Sequence, residues 1–74
     1  MIRTIKRLIK LRNSVNGNPR YRVIFTDGDH RDTQPDASIA YEIANPEFRD
    51  VPVEFTLNGR GHITHAVPVR EVKP

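Results

Sequence analysis

A chain of 74 residues with net charge +3 and no cysteine makes one domain with a small core, and it excludes both a disulfide framework and a thiolate metal site. Charge is unevenly spread: Arg3, Lys6, Arg7, Lys10, Arg12, Arg20 and Arg22 face no acid among residues 1–22, whereas Arg31, Arg49, Arg60, Arg70 and Lys73 meet nine acids in the remainder. The opening residues lack the apolar run and cleavage site of a secretory leader, and nothing approaches the roughly 20 apolar residues of a spanning helix, so no transmembrane segment and a reducing cytoplasm are expected.

In chain order, residues 2–11 carry two competing periods. Ile2, Ile5, Leu8 and Ile9 have helical spacing, and the cations among them make an amphipathic helix. Arg3, Ile5, Arg7, Ile9 and Leu11 equally allow a strand. The next residues, NSVNGNP, turn the chain into residues 19–26, where Tyr21, Val23 and Phe25 alternate with Arg22, Ile24 and Thr26 before an Asp27-Gly28 turn. That pattern is a strand with one apolar face, and Pro19 is tolerated at its beginning. A short third strand is expected over residues 30–33.

Residues 35–44 are expected to be helical, with a strand carrying Ile39, Tyr41 and Ile43 as the competitor. Thr33 and Asp36 make a variant capping box, Ala37, Ala40, Tyr41 and Ala44 share one stripe beside Ile39 and Ile43, and Asn45-Pro46 stops the helix. Val51, Val53, Phe55 and Leu57 alternate with Pro52, Glu54 and Thr56, giving a strand over 51–57. Ile63, Val67 and Val69 fit another over 62–69, with His65 on the same phase. Between them, Asn58-Gly59-Arg60-Gly61 predicts an antiparallel hairpin. Asn-Gly suits the φ > 0 positions of a two-residue turn, and Gly61 accommodates a three-residue loop or bulge.

The runs NSVNGNPRYRVIFTDG, TQPDASIAYEIANPEFRDVPVEF and LNGRG resemble a family of small uncharacterised proteins encoded by actinobacterial phages, over about residues 4–67. The resemblance implies that TIKRLIKLRN belongs to the folded unit and pairs near its beginning. It also implies the cytoplasm of a phage-infected or prophage-carrying host, and it assigns no catalytic residue. The resulting order predicts a mainly β domain: a small five-stranded barrel or strongly curved antiparallel sheet, oligonucleotide-binding-fold-like or SH3-like, with one short helix between strands 3 and 4.

The basic segment points to a function. Phosphate backbones attract countercharge, and single strands also stack on accessible aromatic or apolar surfaces. Arg3, Lys6, Arg7, Lys10, Arg12, Arg20, Arg22 and the turn residue Arg60 are the candidate contacts to DNA or RNA, with Arg49 or Arg31 joining Arg60 if the fold allows. The competing reading is that the segment lies against the acidic remainder, that Arg60 is a solvated turn residue, and that Tyr21 is core because it points away from Arg20 and Arg22. Tyr41, Phe48 and Arg60 are candidates for a second function, a protein-interaction or regulatory module acting on an acidic host protein. A small structural assembly protein, forming homo-oligomers, is the third.

Catalysis and metal binding have weaker support. Asp27, Asp29, His30 and Asp32 read as a polar turn more than as a cation site. His62 and His65 fall on opposite faces of an ideal strand. Ser14, His30 and Asp27 have the residue types of a hydrolytic triad without its context, and neither GRG nor NGNP has the spacing of a nucleotide loop. A noncatalytic binder with no cofactor, catalytic residue or metal ligand set is therefore expected.

Overall fold

A computed structural model describes residues 1–69. Strands β1 (Ile2–Lys10), β2 (Tyr21–Phe25), β3 (His30–Asp32), β4 (Pro52–Leu57) and β5 (Ile63–Pro68) form one antiparallel sheet in the order β3-β2-β1-β4-β5. Between β3 and β4 lie a single helical turn, α1 (Ile39–Glu42), and a 3-10 turn, Pro46–Phe48.

The first segment is a strand, and its helical spacing has a β explanation. Ile5 pairs with Phe25 but Arg7 pairs with Ile24, so Lys6 is an extra residue on β1. Such a bulge sets two residues opposite one and shifts the alternation of faces. Ile5 and Leu8, three residues apart, consequently both pack on the core, while Ile2 and Ile9 remain exposed.

A second bulge corrects the expected phase of β5. Leu57 pairs with Ile63 but Thr56 pairs with His65, which leaves Thr64 as the extra residue. Ile63 is buried and Ala66 packs on the core, whereas Val67 and Val69, expected on the phase of Ile63, are 60% and 41% exposed.

The hairpin between β4 and β5 takes the three-residue form. The Asn58 amide donates to His62 O (2.9 Å) and the Gly61 amide to Asn58 O (3.0 Å), while Asn58 Oδ1 accepts from the amides of Arg60 and His62. Gly61 has φ +78° and Gly59 is not in that region. No atom lies within 4 Å of a Cβ built on either glycine, so the backbone alone sets the cost of adding one. Gly61→Ala is expected to lose about 1–2 kcal/mol of unfolding free energy in a urea titration, against about 0.5 kcal/mol or less for Gly59→Ala. Equal losses would contradict this assignment of the turn.

The hydrogen-bond ladder is not closed into a barrel, but the sheet is curled. Four spacings of about 4.8 Å would hold the edge strands of a flat sheet about 19 Å apart. Instead Thr33, just beyond β3, forms a parallel bridge with Ile63, and the Gln34 amide donates to Ile63 O at 2.9 Å. Thr33 makes this departure possible. Its amide donates to Tyr21 O (2.9 Å), and its Oγ1 accepts from the Tyr21 amide (3.1 Å), taking the place of a strand carbonyl as the chain leaves β2. Thr33 is fully buried, so Thr33→Val leaves an amide unsatisfied at nearly constant volume. An expected loss of about 1–3 kcal/mol is measurable as a lower denaturation midpoint.

The use of Thr33 in the sheet also corrects the expected helix over 35–44. Its hydroxyl is engaged with Tyr21, and Asp36 has φ +58°, outside the helical region, so no capping box forms. The N-cap falls at Ser38, with no side-chain cap bond. Ile39, Ala40 and Ile43 turn inward, while Tyr41, expected on the apolar stripe, is 61% exposed. With Val23, Phe25, Phe48, Val53, Phe55 and Ile63 the two isoleucines form the core, where the Phe25 and Phe55 rings meet at 5.2 Å with a 60° tilt.

Candidate nucleic-acid interface

The cations singled out in the sequence divide into two sets. Arg22 reaches Asp32 through Nε (2.8 Å) and Nη2 (3.1 Å), which raises the Arg22 pKa and lowers that of Asp32. Arg3 Nε lies 2.9 Å from Asp27 Oδ2, an ion pair in which Nε makes no hydrogen bond. Arg31 pairs with Asp29 at 2.8 Å. Exposed pairs of this kind add little stability, but they neutralise these arginines as phosphate ligands. Lys6, Arg7, Lys10, Arg12, Arg20, Arg49 and Arg60 form no ion pair among the described residues.

The topology places part of the second set around a groove. The ladder between β1 and β4 covers only residues 2–4, after which Ile5 meets Arg49 in an isolated parallel bridge. Beyond that bridge β1 has, among the described residues, a strand neighbour on one side only. Its free side borders a groove of about 320 Å³ whose other wall is contributed by residues 43–45 and 48–50. Ile5, Leu8, Ile43 and Phe48 give the groove apolar walls, and Lys6, Arg7, Arg49 and Asp50 give it a charged rim. The β1 bulge helps to build it, because Lys6 and Arg7 both line the groove beside the inward-packed Ile5 and Leu8.

Arg12 and Arg20 border a second, shallower hollow of about 450 Å³ at the loop joining β1 and β2. Leu11 still donates to Arg20 O (2.9 Å), which brings the two arginines to the same end of the hairpin. Asp36 anchors the loop. Its carboxylate accepts from Ser14 Oγ, Asn16 Nδ2 (3.0 Å) and Asn18 Nδ2 (2.8 Å), and the Tyr41 hydroxyl donates to Asn18 Oδ1 (2.7 Å).

The bonds from Ser14, Asn18 and Asn16 hold the Asp36 carboxyl below its ordinary value of 3.8. A depressed folded pKa means that the anchor is fully present above 3.8 and is lost as pH falls through the lower folded value. Amide shifts of residues 12–18 and 20 should therefore move in acid below pH 3.8 in wild type, and not in Asp36→Asn. Identical titrations in the two proteins would contradict the anchor.

Other candidates have different surroundings. Phe48, singled out as a surface contact, is only 3% exposed, because the 3-10 turn carries it into the core. Arg60 is exposed at its hairpin tip and lines neither hollow, and Arg49, considered as its companion, lies instead beside Ile5. Tyr21 packs against the core. Asp27, Asp29 and Asp32 are each engaged by an arginine, Ser14 is engaged by Asp36, and no three metal-ligating side chains converge among the described residues.

The roles of Asp36 as loop anchor and of Asn45 as a groove residue had no sequence signal, since each depends on contacts between distant segments. No family model, curated protein or solved structure matches this chain. Among the described residues no helix is long and apolar enough to cross a membrane.

Proposed function

We propose that this protein is a noncatalytic nucleic-acid-binding module whose contact surface runs along β1 and the loop that follows it. The observation that carries the reading is the set of cations that form no ion pair among the described residues, from Arg49, beside Ile5, through Lys6, Arg7 and Lys10 to Arg12 and Arg20. Residues 5–10 of β1 rise about 3.3 Å each, so these cations spread over about 17 Å of strand, with Arg7 and Lys10 on opposite faces, enough to meet several phosphates. An oligonucleotide-binding-fold-like arrangement is part of the proposal. The strand order and the contact between Thr33 and Ile63 are compatible with a partly open five-stranded barrel, though fold analogy by itself assigns no function. Action in the cytoplasm of a phage-infected host belongs to the same reading.

Fluorescence anisotropy with labelled DNA and RNA over a salt series tests it. The logarithm of the association constant should fall linearly with the logarithm of salt concentration as counterions are released. Absence of binding at low salt, with the fold intact, would sink the proposal.

A different face favours a second reading. Ile2, Glu54 and Val67 are in register across β1, β4 and β5, and both apolar members are exposed, at 52% and 60%. This row supports contact with a host protein or self-assembly. Native mass spectrometry showing only monomer, together with no protein recovered in a host pull-down, would remove it.

A further inference from the structure

We infer that the groove beside β1 holds one unpaired base of a single-stranded nucleic acid, with the flanking phosphates against Lys6, Arg7 and Arg49. This deepens the nucleic-acid reading and rests on it. The groove combines apolar lining from the partly buried Ile5 and Leu8, backed by the buried Phe48, with three cations and one acid, Asp50. None of those cations forms an ion pair among the described residues.

The complementary ligand has an apolar face with anions on both sides, which is the chemistry of a nucleotide within a strand. A volume of about 320 Å³ is at the lower end of ligand sites, about 300–1,000 Å³. It suits a single base and sugar better than a base pair. A duplex keeps its base faces stacked and offers this groove only phosphate, so the unpaired strand gains the additional apolar contact.

Asn45 supplies a polar group in the same place. It precedes the 3-10 turn, makes no side-chain cap bond and lines the groove. Its amide presents both a donor and an acceptor to the edge of a base. The acidic side chains of a peptide satisfy the cations but supply no planar apolar group for the walls, which makes such a peptide the competing occupant.

Anisotropy with the full chain distinguishes these cases, using a short oligothymidylate, an abasic strand of equal length and a duplex of equal length, with polyglutamate as competitor. The oligothymidylate is expected to bind about tenfold more tightly than the abasic strand. Ala44→Leu, which adds bulk from an exposed groove residue without changing charge, should abolish that difference.

Circular dichroism checks that the variant is folded, and Asn45→Leu gives a second blockade. Equal binding of the thymidylate and abasic strands by wild type would overturn the base site while leaving phosphate binding in place. A preference that survives both substitutions would also overturn it. Polyglutamate competing as well as thymidylate would assign the groove to an acidic peptide, and no nucleic-acid binding at all would remove this inference together with its parent reading.

Discussion

Phe25→Ala is expected to remove much or all of the stability of the fold. Phe25 is fully buried, meets Phe55 ring to ring and pairs with Ile5 across the β1–β2 ladder. Truncating a buried phenylalanine costs about 3–5 kcal/mol, through lost transfer energy and the cavity left behind. Domains have only about 5–15 kcal/mol in total, and small ones bury proportionately less surface. Circular dichroism during a urea titration should show the folded baseline shortened or absent. Phe48→Ala belongs in the same range because its side chain is also buried. Tyr41→Ala loses one exposed hydrogen bond to Asn18 and should cost about 1 kcal/mol or less. A Phe25→Ala midpoint close to wild type would place that ring outside the core.

The second large effect concerns affinity. Replacing Lys6, Arg7, Lys10 and Arg12 together by glutamine should lower the magnitude of the salt slope for single-stranded DNA by about 3, at roughly 0.7 for each phosphate contact. At 0.1 M salt a slope change of that size corresponds to a loss of about 100- to 1,000-fold in affinity. Arg3→Gln with Arg22→Gln removes two formal charges as well, but these arginines are held by Asp27 and Asp32. Their loss should change the slope by less than about 1. Anisotropy at several salt concentrations separates the two sets. Equal loss per charge in both would mean that overall charge, not the set along β1 that lacks ion pairs among the described residues, governs association.

That distinction between paired and unpaired cations marks where the sequence stopped being informative. Seven positive side chains without an acid among residues 1–22 are plain from the order of residues, but Arg22 and Asp32 become partners only because β2 and β3 pair in that register. The same holds for the groove. Lys6 and Arg7 are neighbours in sequence, whereas Arg49 joins them through a bridge to Ile5.

Local chemistry by itself determined a good deal. The alternation of Tyr21, Val23 and Phe25 and of Val53 and Phe55 marks faces that are buried in β2 and β4, and Asn58 with Gly61 encodes its turn within five residues. Tertiary structure decided the rest. The apolar spacing of β1 fits a helix or a strand until the bulge at Lys6 lets Ile5 and Leu8 share the core, and the bulge at Thr64 turns Val67 outward against its apparent phase. Thr33, read as a helix cap, instead completes the sheet. Alternation and turn geometry are properties of a few consecutive residues, while a bulge, an ion pair or a groove wall exists only relative to a partner strand whose register no local segment contains.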